Sequence, residues 1–251
     1  MLELFGDRVE CRHDIRFDPA TGGVLASQGR HLGTVTLSSA PLSSPDPTAI
    51  ERALLKAVRA HGLQLLPWTD ASTAVVQRSR FAHSIDAEVP ALAEGMLLER
   101  LDEWLPPLLT GKRHLGDIAE RDLVAALHGL VGYEAVRRID RLAPSEFVSP
   151  AGSRHAIDYS ASGGPTVEVR AQALFGLTAH PTVGDGRVPL TLAITSPAGR
   201  PIQTSRDLPS FWRGSWREVV KEMRGRYPKH AWPDDPAKAA PTLKTKRAGL
   251  S

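Results

Sequence analysis

Alternating polar and apolar positions in the first forty residues predict short β strands. The strand candidates cover residues 8–17, 24–26 and 32–37, and the Asp-Pro-Ala-Thr-Gly-Gly sequence at 18–23 predicts a turn after the first of them. Three short strands form an incomplete sheet with an unpaired edge. We therefore expect the chain to begin inside a domain whose other strands come from elsewhere.

A helical middle segment follows a proline-rich break at residues 41–47. Thr48 is the predicted N-cap of a first helix that ends at Gly62, because apolar residues recur there at helical spacing. The same spacing predicts further helices, which should pack as a bundle, over residues 70–83, 92–105, 120–131 and 133–142. Arg137, Arg138 and Arg141 are expected to form the solvated face of the last helix.

The period of the pattern changes to two after Pro144, which predicts a second β unit. Its strand candidates are residues 147–148, 154–159, 166–170, 188–195 and 201–205. Turns containing glycine and proline predict two hairpins, one around 163–165 and one around 196–199. A short apolar helix is expected over 172–177, and the Ala-, Lys- and Thr-rich tail from Ala237 onward is expected to be disordered.

The composition is typical of a folded globular protein. Of 251 residues, 41% are hydrophobic and 24% are charged. No apolar run approaches the roughly 18 residues that cross a bilayer, and the N-terminus has no leader signature, so we expect a cytoplasmic protein without a membrane partner. Cys11 is interpreted as a structural strand residue, because one cysteine forms neither an intrachain disulfide nor a zinc cage.

Positive charge is concentrated near the C-terminus. Residues 201–251 have a net charge of +6, whereas the whole chain has +3, so the first 200 residues sum to −3. A basic end on a nearly neutral body is typical of a surface that binds phosphate, although a solvated lysine-rich tail gives the same distribution.

The sequence carries no motif for ATP hydrolysis. Gly111-Lys112 is the nearest approach to a phosphate-binding loop, but Pro106 and Arg113 stand where that motif needs glycine and Ser or Thr. The chain has no Asp-Glu-x-His sequence for a magnesium site either. His155 and Asp158 are the best-spaced pair for a metal, but on one strand their side chains point to opposite faces. We therefore predict no catalytic residue and no metal site.

The segment 207–236 is unusual because it contains three of the five tryptophans beside many cations. Ser215 and Glu218 have the spacing of a capping box, and Gly225 is a suitable stop, which predicts a helix over 216–224. The apolar and the basic residues of this helix fall on two adjacent faces. The first face contains Trp216, Val219, Val220 and Met223, and the second contains Arg217, Lys221 and Arg224.

Aromatic rings beside cations are typical of nucleic-acid binding, because bases stack on rings and phosphates pair with Arg and Lys. We therefore predict RNA or another single-stranded nucleic acid as a partner. The predicted binding residues are Arg213, Arg217, Lys221, Arg224, Arg226, Tyr227, Lys229, His230 and Trp232. In the alternative, Trp212, Trp216, Tyr227 and Trp232 anchor the C-terminal arm to the core and the basic side chains are only solvated.

Several sequence runs form a long composite signature. In the unusual segment they are Phe-Trp-Arg-Gly at 211–214, Glu-Met-Arg-Gly-Arg-Tyr-Pro-Lys-His at 222–230 and Trp-Pro-Asp-Asp-Pro at 232–236. Upstream they include Arg-Ile-Asp-Arg-Leu-Ala-Pro at 138–144, Leu-Phe-Gly-Leu at 174–177 and Gly-Arg-Val-Pro-Leu at 186–190. Together they resemble the C-terminal region of HrpB-type DExH-box ATP-dependent RNA helicases. Trp216, where tyrosine is expected, and Ala231, where proline is expected, are small departures.

The resemblance implies an α+β fold in three segments. Residues 1–45 would be a partial OB-like β region and 237–251 a disordered basic tail. Residues 46–236 would be the C-terminal domain of the family, helical over 46–144, with β-hairpins and an amphipathic basic helix over 145–236.

The resemblance also implies a non-catalytic role in a bacterial helicase. ATP and Mg²⁺ would bind motor domains outside this sequence, acting in cis or in trans, so we expect no cofactor and no enzymatic activity in this chain alone. Two functions stay open: an accessory region that contacts nucleic acid, and a structural or protein-interaction module that braces the helicase or docks a partner. No motif supports a third interpretation, an independent enzyme.

Overall fold

The computed structural model describes residues 9–245, which form the mixed α and β structure predicted from the sequence. Arg8, at the start of the first predicted strand, and residues 246–251 of the predicted tail lie outside the described residues. The strands are β1 (Val9–Asp18), β2 (Gly23–Leu32), β3 (Val35–Pro41), β4 (Glu146–Val148), β5 (Arg154–Asp158), β6 (Thr166–Arg170), β7 (Thr182–Val183), β8 (Val188–Pro189), β9 (Thr191–Thr195) and β10 (Pro201–Ser205).

The described helices include two that match their predicted bounds, α6 and α7, so those predictions are confirmed. The α helices are α1 (Pro47–His61), α2 (Asp70–Ile85), α3 (Glu94–Glu99), α4 (Leu101–Trp104), α5 (Pro106–Leu109), α6 (Glu120–Val131), α7 (Tyr133–Leu142), α8 (Leu208–Arg213) and α9 (Trp216–Arg226). Short 3-10 helices cover Leu63–Leu65, Leu115–Asp117 and Ala171–Leu174. None of the helices within residues 9–245 is both long and apolar enough to cross a membrane.

The chain divides into two compact units. The first contains residues 9–76 and 92–133, and the second contains residues 77–91 and 134–245. The boundaries predicted from the sequence, at residues 45, 144 and 236, stay a prediction.

The first unit contains an antiparallel sheet in the order β1-β2-β3. Gly22 makes the turn between β1 and β2 with φ of 68°, and its N–H donates to the carbonyl of Asp18 at 2.9 Å. Ile15 and Phe17 are partly buried, whereas every residue of β3 is exposed. The end of β1 near the turn is therefore partly buried, whereas β3 is exposed along its whole length.

Helix α1 of the first unit is amphipathic, with Ile50, Leu54 and Val58 buried on one face. Its N-cap is Asp46, whose carboxylate accepts a hydrogen bond from the N–H of Thr48 at 3.1 Å. The prediction of Thr48 as N-cap was wrong by two positions, because Pro47 occupies the first helical turn, where its missing N–H costs nothing.

The single helix predicted over residues 92–105 is replaced by the short helices α3 and α4. Arg100 has φ −96° and ψ 18°, which ends α3 before α4 begins at the next residue. Pro106 and Pro107 have no N–H to continue the hydrogen-bond ladder of α4, so that helix ends at Trp104. The predicted helical pattern was right in type and wrong in continuity.

The second unit contains a five-stranded mixed sheet in the order β10-β9-β6-β5-β4. The central pair β6 and β9 is parallel, with Val167 opposite Leu192 and Val169 opposite Ile194, and the other pairs are antiparallel. The alternating sequence pattern did not indicate this parallel pair. Parallel strands need a crossover connection, and residues 171–190 supply it here.

The arginines of α7 lie on an exposed face, as predicted, and two of them also form ion pairs there. Arg138 forms ion pairs with Glu88 at 2.6 Å and Asp86 at 3.7 Å, and Arg141 pairs with Asp185 at 3.5 Å. The acidic partners come from loops that are distant in sequence. Periodicity within α7 therefore gave the polar face correctly, but it could not show that carboxylates lie along it.

The start of the predicted disordered tail also differs from the structure. The N–H of Thr242 donates to the carbonyl of Gln172 at 3.1 Å, and Ala237 and Ala239 pack against the hydrophobic core of the second unit. Small alanine side chains allow the backbone to approach that core closely. Residues 237–242 are consequently held by contacts that their polar composition did not indicate.

Candidate nucleic-acid interface

Helix α8 precedes the predicted basic helix and was missed by the sequence analysis. Its N-cap is Asp207, whose carboxylate accepts hydrogen bonds from the N–H of Ser210 at 3.0 Å and its hydroxyl at 2.7 Å. These hydrogen bonds hold the pKa of Asp207 below its usual range. Asp207 followed by Pro209 is a helix-start signal that could have been recognised.

Helix α9 is longer than predicted and is capped differently. The side chain of Ser215 makes no capping hydrogen bond, and the carboxylate of Glu218 accepts a hydrogen bond from Lys221 at 2.9 Å. Gly225 lies inside the helix, which continues to Arg226 and has Tyr227 as its C-cap. The predicted capping box and glycine stop were therefore wrong. The first turn of α9 is anchored by the buried side chain of Trp216, and the last turns are anchored by the buried side chain of Met223.

The tryptophans of this segment lie in the core of the second unit. Trp216 is fully buried, with its ring centroid 5.0 Å from Trp212, 5.7 Å from Phe175 and 6.0 Å from Trp232. Its indole N–H donates to the carbonyl of Pro233 at 2.8 Å. Trp232 is 4% exposed and donates its indole N–H to the carbonyl of Tyr227 at 3.0 Å. These positions are the ones that the anchoring alternative predicts.

Three of the predicted basic residues are engaged in ion pairs. Lys221 pairs with Glu218 at 2.9 Å and Arg226 with Glu222 at 3.2 Å. Arg224 pairs with Asp234 at 2.7 Å and also donates to the carbonyl of Trp232 at 2.7 Å, so it fastens the C-terminal arm to α9. The basic face of α9 is thus largely neutralised by neighbouring carboxylates.

Three other predicted cations, Arg213, Arg217 and Lys229, are exposed and form no ion pair with a carboxylate within residues 9–245. Arg213 donates a long hydrogen bond, 3.4 Å, to the hydroxyl of Ser210, and its charge also helps to lower the pKa of Asp207. Their charges are therefore available to an external anion.

Tyr227 and His230 lie just beyond α9. Their ring centroids are 6.3 Å apart in an edge-to-face arrangement, and both rings are partly buried. The hydroxyl of Tyr227 accepts a hydrogen bond from Ser196 at 3.3 Å, which attaches the end of α9 to the loop after β9. Both side chains retain exposed surface, but one role of Tyr227 is structural.

A pocket with a volume of about 510 Å³ belongs to the first unit, and a second of about 480 Å³ lies beside the junction of α8 and α9. Both unpaired arginines, Arg213 and Arg217, line the second pocket. Two carboxylates that the sequence analysis did not single out, Asp234 and Asp235, line it as well. The Asp-Asp pair before Pro236 was visible in the sequence, but only the fold brings it beside the arginines.

Within residues 9–245, no three His, Cys, Asp or Glu side chains form a group that could hold a metal ion. Ser149, Ser153 and His155 form a hydrogen-bonded chain, with both hydroxyl contacts at 2.7 Å. They lie on the tight connection of β4 and β5, where Ser149 is buried. This chain stabilises the connection.

Comparison of the sequence with models of known protein families shows to which family the chain belongs. Residues 104–236 match the family model described as "ATP-dependent helicase C-terminal", which is the C-terminal family of HrpB. This match covers more than half of the chain. The chain therefore belongs to the HrpB C-terminal family.

Individual HrpB proteins agree with this assignment. The chain is 40% identical over 241 residues to the ATP-dependent RNA helicase HrpB of Escherichia coli strain K12, which covers 95% of this chain and 30% of that protein. It is also similar to the crystal structure of the E. coli DExH-box NTPase HrpB, with a TM-score of 0.76 at 38% identity over 98% of this chain and 30% of that one. A structure of the E. coli DEAH/RHA helicase HrpB gives 0.66 at 36% identity over 90% and 29%.

The chain thus corresponds to less than a third of the length of the HrpB proteins that it matches. The resemblance inferred from the sequence signature is confirmed, and it identifies the chain as similar to the C-terminal region of HrpB. The contact of the nine predicted binding residues with nucleic acid stays a prediction.

Proposed function

We propose that this chain is a non-catalytic accessory region of an HrpB-type helicase that holds single-stranded RNA near the motor domains, which would themselves bind ATP and Mg²⁺. The observation that carries the proposal is that three cations around α9, Arg213, Arg217 and Lys229, are exposed and form no ion pair with a carboxylate of the described residues. The name of the E. coli relative, an ATP-dependent RNA helicase, supports RNA as the nucleic acid.

The unpaired cations are better placed to bind phosphate than the paired ones. A cation that already pairs with a carboxylate must give up that pair, whereas an unpaired cation gains the full interaction and releases a counterion from the nucleic acid. Lys221, Arg224 and Arg226 therefore contribute less than Arg213, Arg217 and Lys229. Trp232 is assigned to anchoring, since its ring is buried.

The proposed contacts extend along α9. Arg217 lies in the first turn of this helix and Lys229 lies just beyond its last turn. At about 1.5 Å per residue, the helix is about 16 Å long. A flexible single strand can reach cations at both ends of this helix with little need for base specificity.

Replacing Arg213, Arg217 and Lys229 together with alanine is expected to weaken the binding of a fluorescent single-stranded RNA by more than about tenfold at about 50 mM salt. The loss should be about 16 times smaller at about 200 mM salt. The slope of log K against log salt should become less steep by about 2, because each lost phosphate contact removes about 0.7. Fluorescence anisotropy over a salt series measures both quantities.

The matched control removes three cations that are already paired, through Arg12→Ala, Arg121→Ala and Arg154→Ala. It changes the net charge equally and is expected to leave the salt slope nearly unchanged. Equal losses in the two triple variants would show that binding follows net charge alone and would contradict the proposed site. Absence of binding by the folded wild-type chain would overturn the RNA-binding function.

A second candidate function is a structural module that braces the helicase. The exposed side chains of Leu25, Val35 and Leu37 on the β1–β3 sheet favour it, because large apolar side chains on a strand are stabilised by packing against another surface. In this proposal the three strands belong to an OB-type β-barrel whose remaining strands come from the rest of a helicase.

Amide hydrogen exchange tests the bracing proposal. In the monomeric chain, the amides of β3 are expected to exchange much faster than those of β6 and β9, which have hydrogen-bonded neighbours on both sides. The amides of β6 and β9 serve as an internal control in the same sample. Strong protection of β3 in a monomer would contradict the need for further strands.

A further inference from the structure

The pocket beside the junction of α8 and α9 has walls of two chemical kinds. It is lined by Thr178, Pro209, Trp212, Arg213, Arg217, Asp234, Asp235, Pro236 and Ala237. The helical side supplies the two arginines, and the C-terminal arm supplies the two carboxylates. Its volume of about 480 Å³ lies within the usual range for pockets that bind small molecules or nucleotides.

Hydrogen bonds hold both walls of the pocket in place. On the helical side, the indole N–H of Trp212 donates to the carbonyl of Leu177 at 3.1 Å. On the arm, the carbonyl of Pro236 accepts from the N–H of Gly176 at 2.9 Å. Arg224 fixes Asp234 at 2.7 Å. The backbone on both sides of the pocket is therefore in place before any ligand binds, whereas the Asp234 side chain, which is 89% exposed, is held only by a surface ion pair.

The charges of the pocket favour a ligand with one anionic group. Asp234 is balanced by Arg224 and Asp235 by Lys238, whose ammonium lies 3.0 Å from the carboxylate. Arg213 and Arg217 form no ion pair with a carboxylate of the described residues, although Asp207 lies near enough to Arg213 to interact with its charge, so the arginine side of the pocket keeps a positive excess. Arginine is well suited to phosphate because its planar guanidinium donates two parallel hydrogen bonds.

The paired aspartates keep the capacity to accept further hydrogen bonds. The hydrogen bond from Lys238 lowers the pKa of Asp235, so this carboxyl group is ionised and acts only as an acceptor. Each carboxylate has about four acceptor positions and its cation uses only some of them. A ligand with two adjacent N–H donors matches the remaining positions.

Among the RNA bases, guanine alone presents two adjacent donor groups, N1–H and the N2 amino group, on its Watson–Crick edge, and unpaired bases are recognised through that edge. We propose that this pocket binds one guanine nucleotide of a single-stranded RNA, with its phosphate on the arginine side and its base edge on the aspartate side. The proposal rests on the RNA-binding function proposed above and adds base specificity to it. Pro209 and Pro236 supply apolar lining for the base.

The test compares uridine heptamers that differ only at the central position, measured by fluorescence anisotropy with the full chain. A central guanosine is expected to bind about tenfold more tightly than a central uridine, as for one good bidentate contact. A central inosine, which lacks the N2 amino group, and a central adenosine should bind like uridine.

Variants assign the preference to the pocket. Asp234→Asn and Asp235→Asn, which keep the side-chain shape, are each made, and at least one is expected to abolish the guanosine preference. Because each variant also frees a cation, Arg224 or Lys238, the uridine heptamer should bind at least as tightly as it does to the unmodified chain. Arg213→Ala combined with Arg217→Ala should weaken all heptamers. Glu146→Gln removes a carboxylate on β4, outside the pocket, and should change neither quantity.

Three other outcomes overturn the inference. Equal binding of all heptamers removes the guanine specificity but leaves the accessory RNA-binding function standing. A guanosine preference that survives both asparagine variants shows recognition elsewhere. Failure of every heptamer to bind the folded chain overturns both this inference and the proposed function.

Discussion

Replacing Trp216 with alanine is expected to lower the free energy of unfolding of the second unit by about 3–5 kcal/mol. Trp216 is fully buried, and its ring contacts Phe175, Phe211, Trp212 and Trp232. The substitution leaves a large cavity and removes the hydrogen bond to the carbonyl of Pro233. Urea unfolding followed by circular dichroism measures the loss, and amide exchange of β6 and β9 assigns it to this unit.

Two variants separate packing from hydrogen bonding at this position. Trp216→Phe keeps most ring contacts and loses the indole N–H, so a smaller loss of about 1–2 kcal/mol is expected. Val148→Ala, at a side chain that is 54% exposed, should change stability by less than about 0.5 kcal/mol. A loss below about 1 kcal/mol for Trp216→Ala would show that the aromatic cluster is not the centre of this core.

Replacing Arg78 with methionine is expected to destabilise the second unit by about 2 kcal/mol. The side chain of Arg78 is 13% exposed, and its Nε donates to the carbonyl of Ala143 at 2.6 Å. Ala143 is fully buried, so the substitution removes a donor from a carbonyl that water does not reach. Methionine keeps the apolar stem, and the effect therefore reports the lost hydrogen bonds. The same urea unfolding experiment measures it.

The ion-pair partner of Arg78 supplies the control for this prediction. Asp140 contacts Arg78 at 2.6 Å, but its side chain is 61% exposed. Asp140→Asn should therefore cost less than about 1 kcal/mol. If the two substitutions had equal effects, the exposed ion pair and not the buried carbonyl contact would be the stabilising interaction.

The candidate site was only partly predictable from the sequence. The cations and tryptophans of the C-terminal segment were recognised because they are concentrated in one run of chain. Which cations remain available could not be recognised, because the partners of Lys221 and Arg226 on α9 are common helical pairs whose formation depends on rotamers, and Asp234 reaches Arg224 across a loop. Asp234 and Asp235 line the proposed guanine pocket only because the C-terminal arm folds back beside α8.

The fold was predictable where local rules act without competition. The bounds of α6 and α7 follow from apolar periodicity with Gly132 between them. The end of α9 did not follow from local rules, since tertiary contacts of Met223 and Tyr227 carry the helix through Gly225. The parallel pair β6 and β9 was also unpredictable, because no local pattern specifies which strands meet after a crossover.

The sequence by itself determined the family, the α+β composition and the location of the basic, tryptophan-rich segment, because these properties depend on residue types and on spacing along the chain. Only the tertiary structure decided that the tryptophans face the core and that three of the six cations proposed to bind RNA are already paired. Burial depends on residues that are distant in sequence, and even the local ion pairs of α9 depend on which rotamers the folded chain selects. Burial and ion pairing arise when apolar side chains leave water together, and that collapse also determines which carboxylates lie beside which cations.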